Sequence, residues 1–586
     1  MKFSYVAQVF DAVEQESSRT SITVLLADLF KKATSSEASA IAYFALGELN
    51  PPYIGTQFGM AEKSLIKIIA VLLDKSPEQI KSKLGKQGDL GLVVAQGEWA
   101  GGGDHLSVTD VGRSLHQLLE ISGTGSQDVR EKKVLQLLTA LDVASAKYVV
   151  RIISSTLRLG FSDMTLLDAF SWMHAGDKSL RPVLEHAYNI SADIGLIIKT
   201  LKQGGEAGLE QLAITPGIPI RPAAAERSPD AASVIKRLGP CVAQPKLDGF
   251  RLQVHIDNHQ GSRVVRFFSR NLQDMSHMFP DLVASLADLE VKSMVAEGEA
   301  ICINPETGDF LPFQETVKRK RKHDVDMVAK DFPLKLFLFD LLYLNGKPLL
   351  DLSHEQRREL LLDLCNNKTL KKHGVIQPIE EVTVTNADEL YHYFEENISL
   401  GLEGLVVKRP DAIYQPGKRN FNWIKLKREE NGSLDDTIDC VMLGYYHGQG
   451  KRAAFGIGAL LVGVYNKKHD AFQTIAKLGT GFTDVEWKAV RKDLDGRAVA
   501  QKPRNVECSK ELYPDVWVTP TVVCMVRADE ITLSPLHTAG ITSEHAGYAL
   551  RFPRFMGYRP DKSATAATEI AEIKRLFDLQ FEKKKR

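Results

Sequence analysis

Cysteine is scarce in this sequence, and no two of the six cysteines among its 586 residues form a C-x-x-C pair. A zinc ribbon and a disulfide framework are therefore both disfavoured, and the composition fits a reducing environment. A secretory signal is lacking too, because Asp11 and Glu14 precede any long apolar run, and no run is long enough to span a bilayer. We expect a cytoplasmic, prokaryotic intracellular protein with no membrane partner and no targeting signal.

A net charge is also missing, since Lys+Arg 74 balances Asp+Glu 74. The totals therefore give no support for nucleic-acid binding, although a balanced total can conceal a basic patch. The P-loop pattern G-x-x-x-x-G-K-[ST] does not occur, which disfavours a P-loop ATPase or a kinase.

Hydrophobic content of 44% and charged content of 25% are typical of a globular protein, and the length predicts about three or four domains. Apolar residues recur at three- and four-residue spacing from residue 1 to about 205, which predicts an all-helical domain. Ser76-Pro77 predicts a helix start with serine as the N-cap. Residues 203–230 are rich in glycine, proline and alanine, which predicts a linker.

The periodicity changes after the predicted linker. Alternating or β-rich apolar runs predict strands near 252–256, 264–268, 295–303 and 334–344, with helical spacing between them. This pattern indicates a mixed α+β domain over residues 206–430. From 431 to 586, short β-rich runs separated by turns predict a small barrel.

One lysine, Lys246, stands in the stretch Gln244-Pro245-Lys246-Leu247-Asp248-Gly249-Phe250-Arg251. The pattern K-x-D-G is short, so alone it does not identify a covalent nucleophile. Five further clusters follow at or near strand ends: Ser269-Arg270-Asn271, Glu297-Gly298-Glu299, Phe339-Asp340, Glu403-Gly404-Leu405-Val406-Val407-Lys408 and Trp423-Ile424-Lys425-Leu426-Lys427. Each cluster by itself is explained by a solvated strand end or an exposed edge. Together they supply what binding and attacking a nucleoside triphosphate requires.

The Lys246 stretch and these five clusters, in this order, resemble motifs I, Ia, III, IIIa, IV and V of the covalent nucleotidyltransferases. Downstream, the stretch from Arg551-Phe552-Pro553-Arg554-Phe555 to Arg559-Pro560-Asp561-Lys562 resembles motif VI of the ATP-dependent DNA ligases. The first third is similar to the DNA-binding domain of the archaeal and eukaryotic replicative type. The resemblance covers essentially the whole chain. It implies an all-α DNA-binding domain (1–205), an α+β nucleotidyltransferase or adenylation domain (206–430) and a C-terminal β-barrel OB-fold (431–586).

The resemblance implies a DNA ligase that uses ATP to seal nicks in double-stranded DNA. Its intermediates would be a lysyl-AMP on Lys246 and then a DNA-adenylate, and its roles would lie in DNA replication, repair, recombination, DNA damage and cell division. Lys246 must lose its proton to attack the α-phosphorus, which burial and nearby cations favour. The side chains expected to hold the nucleotide are Gln244, Arg251, Arg270, Glu299, Phe339, Arg419, Lys425, Lys427 and Lys562.

Metal and partners follow from the same resemblance. Glu299 and Glu403 are hard oxygen ligands suited to Mg²⁺, and Mn²⁺ stays open as an alternative. Arg554, Arg559 and Lys562 would orient the departing pyrophosphate. We expect a monomer that binds nicked double-stranded DNA, with 318–322 and the tail 583–586 as candidate basic contacts. A sliding clamp stays open as a further partner, although no convincing clamp-binding peptide is present.

The sequence departs from the family at two positions. The family commonly has a glutamate two residues before the lysine, where this chain has Gln244, whose amide oxygen still accepts a hydrogen bond from the adenine amino group. Relatives often carry an arginine at the position of Gly557.

Several alternatives compete with a DNA ligase. Within the superfamily these are an RNA ligase and an mRNA-capping guanylyltransferase, which lack the helical first third and this motif VI context. An NAD-dependent ligase is disfavoured because the four-cysteine zinc site is missing. A catalytically inactive DNA-binding or clamp-associated scaffold would have no need of Lys246, Glu299, Glu403 and Lys425.

Overall fold

A computed structural model describes residues 1–157, 159–258, 262–304, 310–311, 313–319, 325–400, 402–427, 437–448, 455–542 and 545–582. The chain forms two compact units, Met1–Ala61 with Ala100–Arg428, and Glu62–Trp99 with Glu429–Arg586. Within the described ranges, no helix combines the length and apolar character needed to cross a membrane. The basic tail 583–586 and residues 320–322 of the basic run lie outside the described residues.

The first third is helical, as predicted. Its helices are α1 (Phe3–Gln15), α2 (Arg19–Lys32), α3 (Ser35–Ala45), α4 (Glu62–Leu72), α5 (Pro77–Gln87), α6 (Leu90–Ala95), α7 (Val108–Glu120), α8 (Ser126–Thr139), α9 (Val143–Ile153), α10 (Asp163–Ala175), α11 (Arg181–Ile190) and α12 (Ile194–Glu210). Capping side chains explain where several of these helices begin. At the start of α5, the Ser76 side chain accepts a hydrogen bond from the backbone N–H of Gln79, and Pro77 lies in the first turn. This predicted helix start is confirmed.

The middle region is α+β, which confirms the prediction. Its strands are β1 (Ala224–Ser228), β2 (Cys241–Pro245), β3 (Phe250–Asp257), β4 (Val264–Ser269), β5 (Ser293–Cys302), β6 (Leu334–Leu344), β7 (Lys347–Pro348), β8 (Ile376–Pro378), β9 (Val382–Val384), β10 (Gly404–Lys408) and β11 (Arg419–Lys427). Its helices are α13 (Ala231–Leu238), α14 (Pro280–Ala287), α15 (Phe313–Val317), α16 (Val325–Asp331), α17 (His354–Cys365), α18 (Lys368–His373) and α19 (Ala387–Ser399).

Two sheets organise this region. One runs in the order β1-β11-β10-β2-β9, and the other runs β4-β3-β5-β6-β7 with β8 also paired to β6. Strand alternation places Leu252, Val254 and Ile256 in a core without solvent exposure, because successive side chains point to opposite faces. The opposite faces and the strand ends are left for polar side chains.

The predicted linker over 203–230 is only partly correct. Gly205 does leave the helical conformation, with φ 61°, and kinks α12, but helical structure resumes after it and ends at Glu210. Residues Ala224–Ser228 form strand β1, which pairs in parallel with β11. The composition of this segment predicted a linker, but pairing with a distant strand gives Ala224–Ser228 a regular structure.

The C-terminal region is rich in short strands. They are β12 (Ile438–Tyr446), β13 (Ala459–Asn466), β14 (Ala471–Leu478), β15 (Ala498–Val499), β16 (Val506–Glu507), β17 (Val516–Val518), β18 (Val523–Arg527), β19 (Glu530–Ser534), β20 (Gly547–Arg551) and β21 (Arg554–Tyr558), with helices α20 (Asp484–Asp495) and α21 (Ile570–Glu582). An eight-stranded sheet runs β15-β17-β12-β13-β14-β16, and β18 joins β12 to β21. No strand pairing among the described residues closes this sheet, so a closed barrel stays a prediction.

A buried ion pair joins β6 to α17 and generates a stability prediction. Arg357 donates to both carboxylate oxygens of Asp340, at 2.7 and 3.2 Å, and neither side chain is more than 1% exposed. Arg357→Met would remove the two-pronged partner and leave the buried carboxylate with the backbone N–H of Leu341 at 2.9 Å and the Nζ of Lys408 at 4.0 Å. We expect a loss of about 3–5 kcal/mol in the free energy of unfolding, measured by urea denaturation.

The matched control is Arg409→Met, which breaks an exposed pair with Asp411. An exposed pair contributes about 0–1 kcal/mol, so this variant should unfold close to wild type. Equal losses in the two variants would contradict the assignment.

Candidate active site

A cavity of about 510 Å³ opens in the first unit between the two sheets of the α+β region. Its volume lies within the range typical of ligand sites. The predicted site residues of this region that line it are Gln244, Lys246, Arg251, Arg270, Glu299, Phe339, Arg419, Lys425 and Lys427. The fold therefore brings together side chains that are spread over more than 180 positions of the sequence.

Lys246 follows directly after strand β2. Its backbone N–H donates to the carbonyl of Gly404 at 2.8 Å, and the N–H of Glu403 donates to the carbonyl of Lys246 at 3.2 Å. Gly404 has φ 138°, and a Cβ there would meet the carbonyl oxygen of Leu426 at 2.2 Å. Only glycine suits this close approach. The backbone of the E-G-L-V-V-K motif thus fixes the lysine loop.

The Lys246 ammonium forms an ion pair with the carboxylate of Glu403. The same carboxylate oxygen lies 3.0 Å from the Nζ of Lys427. Lys246, Glu403 and Lys427 all retain about a quarter of their side-chain exposure. Glu403 therefore holds two lysines together at the edge of the cavity, where their charges would otherwise repel each other.

Further cations surround this pair. Burial lowers the pKa of Lys425, and the nearby charges of Lys427, Arg419, Lys246 and Arg270 lower it further. Because four charges act on Lys425, these five side chains lie close together in one region of positive potential. Such a cluster suits a polyphosphate, because lysine and arginine neutralise phosphate oxygens.

Glu299 faces the lysine loop from strand β5. It accepts a hydrogen bond from the backbone N–H of Gly249 at 3.2 Å. Burial raises the pKa of Glu299 to about 7, although Lys246 and Arg251 oppose the shift. A Cβ at Gly249 would meet the carbonyl of Ala300 at 2.3 Å, so the glycine of K-x-D-G allows the loop to approach β5.

Arg251 is held by residues outside the predicted site set. Its Nη2 donates to both carboxylate oxygens of Glu297 at 3.1 and 2.9 Å, and its Nη1 donates to the carbonyl of Ala223 at 2.8 Å. The hydroxyl of Tyr414 donates to the same carboxylate at 2.8 Å. The one sequence signal for Glu297 was its position two residues before Glu299, which places both side chains on the same face of a strand. Tyr414 carried no signal in the sequence.

Phe339 and Trp423 pack edge to face, with ring centroids 6.0 Å apart. The Nζ of Lys408 lies 4.4 Å from the centroid of the Trp423 ring. It also donates a hydrogen bond to the backbone carbonyl of Phe339 at 3.0 Å. Burial lowers the pKa of Lys408 to about 8, against the opposing charges of Asp340 and Glu381. Phe339 is thus fixed in place and lines the cavity, where its face is suited to stacking against a base.

The motif VI cations lie in the second unit, each paired with an acid. Lys562 Nζ lies 2.5 Å and Arg559 Nη1 3.2 Å from the carboxylate of Asp439, and Arg554 Nη2 lies 3.1 Å from Asp529. Gly557 has φ 150°, a conformation that disfavours other residues. The departure from arginine at this position therefore has a backbone reason.

The middle of the chain, residues 222–427, matches the family model "ATP dependent DNA ligase domain". Residues 2–171 match "DNA ligase N terminus", and 453–562 match "ATP dependent DNA ligase C terminal region". A relative from Dictyoglomus turgidum, "Probable DNA ligase", is 44% identical over 98% of this chain and 97% of its own length. This chain belongs to the ATP-dependent DNA ligases.

Further relatives of this ligase include "DNA ligase 2" from Thermofilum pendens, 36% identical over 99% of this chain and 98% of that protein. The solved structure "Pmar-Lig_PreS3" covers 94% of this chain and 99% of its own, with a TM-score of 0.56 and 18% identity. At that identity the likeness concerns the fold alone. The roles of individual side chains stay predictions.

The carboxylate of Glu297 generates a prediction for nucleotide binding by the ligase. Glu297→Gln removes the charged acceptor of the Arg251 Nη2, so the guanidinium keeps only its weaker contact to the Ala223 carbonyl and is held less firmly. We expect the Kd for ATP to rise about tenfold or more, the equivalent of about 1.4 kcal/mol. Isothermal titration calorimetry in EDTA would measure binding without turnover.

The exposed Glu290 provides a control, since Glu290→Gln alters the same type of side chain away from the cavity. An unchanged ATP affinity in Glu297→Gln would contradict the role of Glu297 in holding Arg251 for the nucleotide.

Proposed function

We propose that this ligase seals nicks in double-stranded DNA through a covalent AMP on Lys246. The observation that carries this proposal is that Lys246 and eight other predicted side chains line one cavity. The chemistry of those groups (one nucleophile, several cations, carboxylates and an aromatic face) matches the needs of nucleotidyl transfer.

In the first step, the Nζ lone pair of Lys246 attacks the α-phosphorus of ATP. A P–N bond forms, and the bond to the bridging oxygen breaks, so that pyrophosphate leaves with the electron pair. Arg270, Arg419, Lys425 and Lys427 neutralise the phosphate oxygens as charge builds. Glu403 holds the lysine beside the cavity and is the nearest carboxylate to its departing proton. Arg554, Arg559 and Lys562 orient the pyrophosphate.

Two further phosphoryl transfers follow. The 5′-phosphate at the nick attacks the lysyl-AMP and releases the Lys246 nitrogen, which gives a DNA-adenylate. The 3′-hydroxyl then attacks the 5′-phosphorus, forms the phosphodiester bond and expels AMP. Both steps reuse the same cations, because each develops charge on phosphate oxygens next to Lys246.

The residues at the cavity fit Mg²⁺. No described group of three or more His, Cys, Asp or Glu side chains forms a closed metal cage, but Mg²⁺ keeps several waters and needs few protein ligands. The raised pKa of Glu299 indicates that nearby cations do not fully offset the burial of its negative charge. A divalent cation would supply the missing positive charge. Glu299, with Glu403 as its predicted partner, would hold the ion. When bound, it would neutralise phosphate charge. Mn²⁺ is the alternative.

The wider assignments are part of the proposal. The helical first third (1–205) binds the duplex, 206–430 carries the adenylation chemistry and 431–586 is an OB-fold, a division that the three family matches support. The protein acts as an intracellular monomer on nicked DNA in replication, repair and recombination. Neither a sliding-clamp contact nor a role in cell division has a specific observation in its favour.

Replacing the nucleophile tests the central step. Wild-type protein incubated with α-labelled ATP and Mg²⁺, without DNA, should acquire covalent label, and Lys246→Ala should acquire none. Lys292→Ala, an exposed lysine away from the cavity, is the matched control and should label normally. Label that survives in Lys246→Ala would overturn the nucleophile assignment.

The same assay separates the rival functions. Labelled GTP or NAD in place of ATP tests for a capping enzyme or an NAD-dependent ligase. Sealing of nicked DNA but not nicked RNA distinguishes a DNA ligase from an RNA ligase. Sealing of nicked RNA alone would contradict the proposal.

The raised pKa of Glu299 predicts pH-dependent cation binding. Because the carboxyl is protonated below about pH 7, the affinity for a divalent cation should fall as the pH is lowered. With a single such group, the apparent Kd should be about tenfold higher at pH 6 than at pH 8. Mn²⁺ titration without ATP, followed by the electron paramagnetic resonance signal of free Mn²⁺, measures this.

Glu299→Gln is the informative comparison, because it cannot titrate and should bind weakly with little change between the two pH values. A wild-type Kd that is the same at pH 6 and pH 8 would contradict the role of Glu299.

A further inference from the structure

A buried polar network lies behind the one residue of motif I that departs from the family. Gln244 belongs to strand β2, is only 2% exposed and lines the cavity. Its amide Nε2 donates to the Oε2 of Glu381 at 2.5 Å. Glu381 lies 137 positions along the chain from Gln244, just before strand β9, which pairs with β2.

Glu381 is itself fixed by two basic side chains of helix α17. His354 Nε2 lies 2.8 Å from its Oε2, and Arg358 Nε lies 3.8 Å from its Oε1. Burial raises the pKa of Glu381, but His354, Lys408 and Arg358 outweigh it and hold the pKa below its ordinary value. The carboxylate is therefore ionised at neutral pH and acts only as a hydrogen-bond acceptor.

The protonation of His354 agrees with this arrangement. Burial and the charge of Lys408 lower the pKa of His354 below its ordinary value, which favours the neutral imidazole at neutral pH. Its Nδ1 has no hydrogen-bond partner among the described residues, which leaves Nε2 as the protonated nitrogen that donates to Glu381. His354 Nε2 and Gln244 Nε2 therefore both donate hydrogen bonds to the carboxylate of Glu381.

The direction of the Gln244 amide decides which base it can read. A free amide can turn, offering its oxygen to the 6-amino group of adenine or its nitrogen to the 6-oxo group of a purine such as hypoxanthine or guanine. An ionised carboxylate removes this choice, because only the NH₂ end can face it. The bond to Glu381 uses the Nε2 end of the Gln244 amide, so the Oε1 end is left for the cavity that Gln244 lines.

We propose that Glu381 is a positioning residue that makes this site selective for 6-aminopurine nucleotides by fixing the amide of Gln244. The Gln244–Glu381 pair then does the work of the single glutamate that relatives commonly carry two residues before the lysine. This inference rests on the proposed function, namely that Lys246 is adenylated by ATP. It adds a residue to the specificity of that step, outside the motifs.

The test compares covalent adduct formation from ATP and ITP, whose bases differ at the 6-position and its neighbouring ring nitrogen. Intact-mass spectrometry over a series of nucleotide concentrations gives kcat/KM for each. Glu381→Met keeps the length of the side chain but removes the acceptor, so the amide can turn. We expect the ATP-to-ITP ratio of kcat/KM to fall about tenfold or more, the size of one lost buried hydrogen bond.

Two further variants separate a change in selectivity from a loss of folding. Glu380→Met changes the adjacent, exposed glutamate and should keep the wild-type ratio. The swap Gln244→Glu with Glu381→Gln exchanges the two groups, so a carboxylate in the cavity again accepts from adenine while the new amide on the β9 side donates to it. A neutral His354 can change tautomer to suit this amide. The swap should therefore restore preference for ATP.

The outcomes are separable. If Glu381→Met keeps the wild-type ratio, or if the swap remains as unselective as Glu381→Met, the role of Glu381 is overturned. If wild type forms no AMP adduct at all, the proposed function fails instead. A Glu381→Met variant too unstable to assay leaves the swap as the deciding variant, because it retains every hydrogen-bonding group of the network.

Discussion

Ion pairs between carboxylates and the cations around the cavity are the interactions on which the rest of the site depends. A site for a polyphosphate needs several positive side chains close together, and without the ligand they repel one another. Glu403 holds Lys246 with Lys427, and Glu297 holds Arg251 from β5. The acids make the cationic arrangement stable before a nucleotide arrives, so less ordering is left for the binding step.

A second group of paired charges, Asp340 with Arg357 and Lys408, packs against Phe339 and Trp423. Arg357 and Lys408 outweigh the burial of Asp340 and lower its pKa to about 2, and Lys408 holds the backbone of Phe339. Removing any one member leaves another buried charge unpaired, which costs far more than the loss of an exposed pair. The orientation of Phe339 is therefore coupled to the stability of the sheet that carries it.

Much of the fold and most of the site followed from local patterns. Helical spacing, the Ser76 cap and strand alternation depend on neighbours in sequence, and they were confirmed. The glycines of two motifs, Gly249 and Gly404, mark positions where a Cβ would collide with backbone. By contrast, the alanine-rich segment that forms β1 had no local signal, because its partner strand β11 lies almost 200 residues away.

The sequence alone determined the class of each region, the family resemblance and the set of side chains around Lys246, because these rest on residue type, order and spacing. Only the tertiary structure decided which side chains pair with one another at and behind the cavity. Glu297 meets Tyr414 across 117 positions and Gln244 meets Glu381 across 137, and no local rule selects such partners. Their contacts arise from strand pairing and helix packing, which depend on the whole chain.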